Sequence, residues 1–313
     1  MAEAWRIVFM GTPQIAAATL EHLLTGPDPV VGVVTQPDSS AGRGQKTSAS
    51  PVRKLAESRN LPVLAAEKIR TPEFLESLRA WQPDILVVVA YGRILPKSIL
   101  DLAPYGCVNV HYSLLPKYRG AAPAAWTIIN GESDAGVSTM KLVEKMDAGA
   151  VYLQEAIKLT GSETTGSLQV QLTPIGARLL LETLRRLKDG TLRATEQDEN
   201  LATLAPILKK EDGIISWRRP AQEIERRVRG FDPWPGSFTH YAGKLLKVHR
   251  VRVIATERRG APGEIVRADG SGFWVATSAG VLHLEEVQQE NKKRLPGVEF
   301  IKGARIKPGD RLE

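Results

Sequence analysis

Two polar side chains in an apolar run carry the first chemical signal in this chain. Asn109 and His111 are separated by one residue and flanked by Val108 and Val110. Read as a strand, whose side chains alternate faces, this run puts a carboxamide and an imidazole on one side and the two valines on the other. An amide can hold an oxygen or a proton donor, and an imidazole takes up and releases protons near neutral pH. Pro116 then takes the chain out of the sheet at that strand's C-terminal end, which is where open parallel sheets bind ligands. A third group, Asp147, lies in a loop ahead of Gly149. Taken alone, the pair also reads as a satisfied strand end, and Asp147 as a turn former.

The elements that must position these residues follow from periodicity. Buried strands are expected at 6–10, 30–35 and 85–90, with a helix through about 24 after the turn at 11–13 and helices at 51–59 and 72–81, the last two opened by Pro51 and Pro72 where a missing N–H is harmless. Strands alternating with helices imply a mostly parallel, Rossmann-like α/β sheet with helices on both faces. The turn after the first strand carries only Gly11, however, so neither the three-glycine dinucleotide fingerprint nor Walker spacing is present. Residues 36–46 read as a long polar, Gly-rich loop with Arg43 and Lys46 at its tip, suited to a phosphate backbone. A small-residue helix reaching Asn130 is expected to pack closely on the sheet. A further helix is expected from Pro174, since proline removes an interior helical hydrogen bond.

Composition sets limits. The chain has 313 residues and a net charge of +7, with 42% hydrophobic and 25% charged residues, as in soluble globular proteins. No run of eighteen apolar residues occurs and the N-terminus enters a strand directly, so a cytoplasmic protein with no membrane partner is expected. The single cysteine, Cys107, excludes an intrachain disulfide, and the five histidines show no ligand spacing, so no metal is expected. Residues 210–313 hold 20 Lys and Arg against 14 Asp and Glu, which makes nucleic acid a candidate partner of that third of the chain.

The C-terminal segment opens near Lys209. A helix over 220–230 places Ile224 and Val228 inside, and several short strands separated by Gly turns suggest a small OB-like β-barrel. Its basic strand, with Lys247, Arg250 and Arg252, is a plausible RNA-backbone contact. The polar stretch 191–208 reads as a linker, giving a catalytic domain over 1–190 and a second domain over 209–313.

Asn109 and His111 with Ser113-Leu-Leu-Pro116 and Arg119-Gly120, followed by Asp147, resemble the folate-dependent formyltransferases. The ordered set Met10-Gly-Thr-Pro13, Gln36-Pro-Asp38, Ala41-Gly-Arg-Gly44, Val89-Ala-Tyr-Gly92, Gly120-Ala-Ala-Pro123 and Trp234-Pro-Gly236 extends the resemblance over nearly the whole chain. It implies formyl transfer from 10-formyltetrahydrofolate to the α-amino group of methionine on initiator tRNA, by a monomer that needs no metal. It also implies roles: Asn109 donates to the formyl oxygen, His111 shuttles a proton, and Asp147 either orients His111 or takes the amine proton. The folate would lie on Tyr91, Gly92, Arg93, Ile94 and Leu95 and against Ser113, Leu114, Leu115 and Pro116; the tRNA would meet Arg43, Lys46, Lys247, Arg250 and Arg252. Two alternatives remain at this point: a formyltransferase acting on a nucleotide-linked aminosugar, and a non-catalytic nucleic-acid-binding protein.

Overall fold

The computed structural model describes residues 3–41, 46–255, 257 and 259–313. By contacts the chain divides into two units: residues 1–123, 134–158 and 169–206, and residues 124–133, 159–168 and 207–313.

The first unit is organised by seven strands. They are β1 (Ile7–Gly11), β2 (Val30–Thr35), β5 (Val63–Ala65), β6 (Ile85–Val89), β7 (Cys107–His111), β9 (Asp134–Lys141) and β10 (Val151–Lys158), which follow in chain order around the short strands β3 (Ser39–Ala41), β4 (Lys46–Ser48) and β8 (Arg119–Gly120). The sheet order is β10-β9-β7-β6-β1-β2-β5. The last five in that order are parallel, and β9 and β10 are antiparallel additions at the edge. Every residue of β1, β6 and β7 is buried, which is why these runs are nearly continuously apolar. The chain builds outward from β1 through β2 to β5, then crosses to β6 on the other side of β1, so the strand order reverses between β1 and β6.

That crevice is closed by the protein itself: Thr12 Oγ1 (3.2 Å) and Gln36 Nε2 (2.9 Å) both donate to the Tyr91 carbonyl. Helices cover both faces. α2 (Pro51–Ser58) and α3 (Pro72–Ala80) start at Pro, with Ser50 and Thr71 as N-caps accepting from Arg53 N and Phe74 N. Phe74 and Leu78 of α3 pack with Val8, Met10, Leu86, Val88 and Cys107 on one face. On the other, Tyr112 Oη lies 3.4 Å from Thr19 Oγ1 of α1 (Gln14–Leu23).

α6 (Thr165–Lys188) differs from the expectation of a start at Pro174: it runs unbroken through that residue. Pro174 would have bonded the carbonyl of Val170, and Val170 is 73% exposed, so water can satisfy the oxygen the proline leaves free. A Cβ on Gly176 would meet Val110 and Val137, which places α6 against the valine face of β7 and leaves the Asn109 and His111 face to the other side. Helix α5 (Pro123–Ile129) departs from expectation too. Most of it groups with the second unit, where a Cβ on Gly230 of α7 (Ala221–Gly230) would run into Ile129 and crowd the Ala125 carbonyl, so α5 and α7 pack there without a side chain between them.

The second unit is an antiparallel β domain. After β11 (Leu204–Ala205), strands β12 (Ser237–Tyr241), β13 (Lys244–Ala255), β14 (Ile265–Asp269), β15 (Gly272–Ala276), β16 (Val281–Gln289) and β17 (Leu295–Pro296) form one sheet in the order β12-β13-β16-β15-β14, with β17 on β16. The last residues pair with both edges. Glu313 exchanges backbone hydrogen bonds with His240 of β12, and Leu312 N donates to Gly263 O next to β14. Both edge strands of this antiparallel sheet are thus partly covered by the last residues, which protects them from pairing with another chain. The core of the unit is Ile224 and Val228 of α7, Trp217, Leu246, Val248, Phe273, Leu282, Leu284 and Phe300 of α8 (Gly297–Ala304). Among the described residues no helix is long and apolar enough to cross a membrane.

Candidate active site

Strand pairing builds the site. β7 lies between β6 and β9, with Val88 opposite Asn109 on one side, and Met140 opposite Asn109 and Ser138 opposite His111 on the other. Asn109 is 8% and His111 5% exposed. The segment after β9 brings Asp147 to His111, with Oδ2 3.7 Å from Nδ1. The three groups singled out in the sequence therefore come together in the first unit. Asp147 adopts φ +48°, a left-handed conformation that Asp tolerates, in a turn closed by Ala148 N to Lys145 O at 3.2 Å.

The tautomer of His111 follows from its other partner. Nε2 lies 2.9 Å from the carbonyl oxygen of Tyr118. A carbonyl only accepts, so Nε2 carries the hydrogen and the neutral ring keeps its lone pair at Nδ1, toward Asp147. At 3.7 Å the carboxylate is a charge partner rather than a hydrogen-bond partner of the ring. Asp147 Oδ2 instead accepts from Gly120 N at 2.7 Å. The Asn109 carboxamide makes no hydrogen bond to any described residue, so its N–H groups are free to meet a ligand oxygen.

Around this edge lies a network that the sequence reading passed over. Gln197 Nε2 donates to the carbonyls of Asp147 (2.8 Å) and Gly149 (2.7 Å), and Gln197 Oε1 accepts from Arg119 Nε (3.0 Å) and Nη2 (2.9 Å). Arg119, 3% exposed, also pairs with Glu199, which pairs with Lys145 at 2.7 Å. The stretch 191–206 is thus more tightly built than its polar composition predicts: Thr195 bridges Val151, and β11 pairs with β8. Its bonds are polar and leave no hydrophobic periodicity to read.

Hydrogen bonds from Arg119 and Lys145 hold the Glu199 carboxyl at about 2 against an ordinary 4.5. A depressed folded-state value contributes stability that is complete above the ordinary value and lost as pH falls through the depressed one. Glu199→Gln is therefore expected to lower the urea midpoint slightly at pH 7, since an exposed group is screened. The gap from wild type should close between pH 4.5 and about 2. A gap that does not change with pH would contradict this.

The expected folate residues divide by what they leave free. The Tyr91 side chain is buried in the core and its hydroxyl has no hydrogen-bond partner among the described residues; burial pushes that hydroxyl above its ordinary range. Gly92 turns at φ +82°, where a Cβ would strike Gln36 Nε2. Arg93 donates to the Glu67 carbonyl, Leu95 is buried, and Ile94 is 63% exposed. The 113–116 backbone is largely engaged. Ser138 Oγ donates to Ser113 O (2.6 Å) and accepts from Leu115 N (3.1 Å), while Gln154 Nε2 donates to Leu115 O (2.8 Å). Leu114 meets the position of Gly136, and the Leu115-Pro116 bond is cis. Val143 and Met146, on the Asp147 segment, are 37% and 50% exposed, and Glu144 acts electrostatically on Lys97 beyond the 91–95 loop. The exposed apolar side chains of Ile94, Val143 and Met146 suit a flat, partly apolar ligand.

Of the residues expected to meet RNA, Arg43 lies outside the described residues, and Lys46 is placed only by its backbone in β4. Lys247, Arg250 and Arg252 are exposed on β13 of the second unit. Arg250 (3.0 Å) and Arg252 (2.8 Å) share Glu285 of β16, which reduces the positive field that the strand alone suggests.

Comparison with known proteins agrees with this architecture. Residues 5–184 match the family model described as Formyl transferase, and 207–305 match Formyl transferase, C-terminal domain. The chain is 50% identical to the methionyl-tRNA formyltransferase of Desulfotalea psychrophila over 301 residues, 96% of this chain and 93% of that one. It is 48% identical to that of Citrifermentans bemidjiense over 98% of this chain and 96% of that one. An N-formyltransferase from Helicobacter canadensis, solved with folinic acid and dTDP-3-aminofucose, shares the fold at a TM-score of 0.64 and 17% identity, over 91% of this chain and 99% of that one. With both family models matched in order and near-half identity along its length, this chain belongs to the formyl transferase family, among the methionyl-tRNA formyltransferases.

Proposed function

We propose that this protein formylates the α-amino group of methionyl-initiator tRNA with 10-formyltetrahydrofolate as donor, giving N-formylmethionyl-tRNA for translation initiation. The observation that carries this reading is the 50% identity to a methionyl-tRNA formyltransferase over nearly the full length of both chains. Both alternatives fall behind it: the aminosugar enzyme shares the fold at only 17% identity.

The donor supplies an electrophilic formyl carbon. Residues 92–95, with the exposed Ile94, would hold it against the Asp147 segment. The Asn109 carboxamide, bonded to no described residue, donates to the formyl oxygen as negative charge builds there. The attacking amine must lose a proton, and the lone pair at His111 Nδ1 is the available acceptor, because Nε2–H is committed to Tyr118 O. Asp147 then faces a positive ring at 3.7 Å and stabilises it. When the bond to the folate nitrogen breaks, the same Nδ1 proton can be returned to that nitrogen, so the proton balance closes.

On this reading residues 1–190 form the catalytic domain and 209–313 the RNA-binding domain, joined through 191–208. Lys247, Arg250 and Arg252, with Arg43 and Lys46, contact the tRNA backbone. The protein acts as a monomer in the cytoplasm without a membrane partner. The test offers the purified protein 10-formyltetrahydrofolate with methionyl-initiator tRNA, methionyl-elongator tRNA, an aminoarabinose nucleotide and glycinamide ribonucleotide. Transfer to methionyl-initiator tRNA above the others is expected; transfer only to the nucleotide sugar would sink the reading.

A further inference from the structure

We propose that Gln197 is a positioning residue that sets the Asp147 carboxylate against His111. The inference rests on the reading of that pair as the proton-handling part of the site. Three consecutive residues align it. The Tyr118 carbonyl fixes the His111 ring, and Gly120 N–H fixes the Asp147 carboxylate. The Arg119 side chain between them reaches the Asp147 backbone through Gln197. Tyr118 itself takes φ +63°, a conformation unusual for an aromatic residue, at the position whose carbonyl meets the ring.

The chemistry of the link is specific to an amide. Gln197 uses both amide hydrogens on two carbonyls of one turn, at 2.8 and 2.7 Å, and its oxygen on two nitrogens of a buried guanidinium, at 3.0 and 2.9 Å. All four of its hydrogen-bonding positions are filled. A carboxylate could accept from Arg119 but not donate to the carbonyls; a lysine could donate but not accept. Arg119 is held in turn by Glu199 through Nη1 (3.1 Å), and its own backbone N donates to Thr203 O at 2.8 Å. Gly149, the second carbonyl on Gln197, admits no side chain because a Cβ there would run into the Lys141 carbonyl. The turn is therefore braced from both ends, and Gln197 is the brace that touches Asp147.

Gln197→Glu in the full-length protein separates the two halves of this role, since it keeps an acceptor for Arg119 and removes both donors. A melting temperature close to wild type is expected. The kcat for formyl transfer to methionyl-initiator tRNA should fall about 10²-fold, the effect of a slightly misplaced group, while KM for the tRNA and for the folate stays unchanged. Amide hydrogen exchange gives a readout that needs no activity. Exchange at Gly120 N–H should accelerate in the variant as its acceptor drifts, with 107–111 still protected. Wild-type kcat, unchanged Gly120 exchange, or loss of the melting transition would each overturn the proposal. A wild-type protein that transfers no formyl group would count against the function reading instead, with the exchange comparison still deciding the role of Gln197.

Discussion

Asn109→Ala should lower kcat for formyl transfer by about 10²- to 10³-fold, the loss seen when one oxyanion donor is removed from a preorganised site. The magnitude follows from what the carboxamide does in the free protein. It is nearly buried and bonded to no described residue, so no hydrogen bond to a described residue needs to break before it can donate. A group with that freedom gains most where charge develops, and its removal is felt in the chemical step. The fold should tolerate the change because β7 is held by backbone ladders to β6 and β9 and by Val108 and Val110 on the opposite face. Steady-state kinetics should show KM for both substrates within a few-fold of wild type. A loss confined to KM would place Asn109 in ground-state binding and contradict the assignment.

His111→Gln should cost about 10²- to 10⁴-fold in kcat, the range for a general base. The substitution is chosen for the Tyr118 carbonyl, which the glutamine amide can still bond, so the local structure keeps its one strong anchor. What disappears is the proton acceptor at Nδ1 that faces Asp147. A variant that keeps the wild-type kcat would mean the proton leaves by another route, with the Asp147 carboxylate as the first acceptor to examine.

How much of this was legible before the structure differs from residue to residue. The shared face of Asn109 and His111 follows from the period of two along a strand, a local property, and the strand pairing agrees with it. Asp147 carries only the weak local signal of a loop carboxylate ahead of Gly149. It reaches His111 because β9 runs antiparallel to β7 and the following turn folds back, and its role came only with the resemblance. Gln197 and Glu199 lay beyond reach, since their stretch is polar and aperiodic and is held by hydrogen bonds rather than burial. Pro174 marked a helix start by the usual rule. The helix passes through it because the orphaned carbonyl belongs to an exposed residue, which no sequence pattern reveals. In the second unit the Arg250 and Arg252 charges were visible, while their shared partner Glu285 arrives only with the β13 and β16 pairing.

The claim on which the account turns is that Asn109 and His111 act together on one developing charge and one proton. Single-turnover formyl transfer from 10-formyltetrahydrofolate to methionyl-initiator tRNA, measured for wild type, Asn109→Ala, His111→Gln and the double variant, tests it directly. Residues that work as a unit are strongly non-additive, so the double variant should fall within about 10-fold of the slower single variant. Losses that multiply in full, or either single variant transferring at the wild-type rate, would contradict the account.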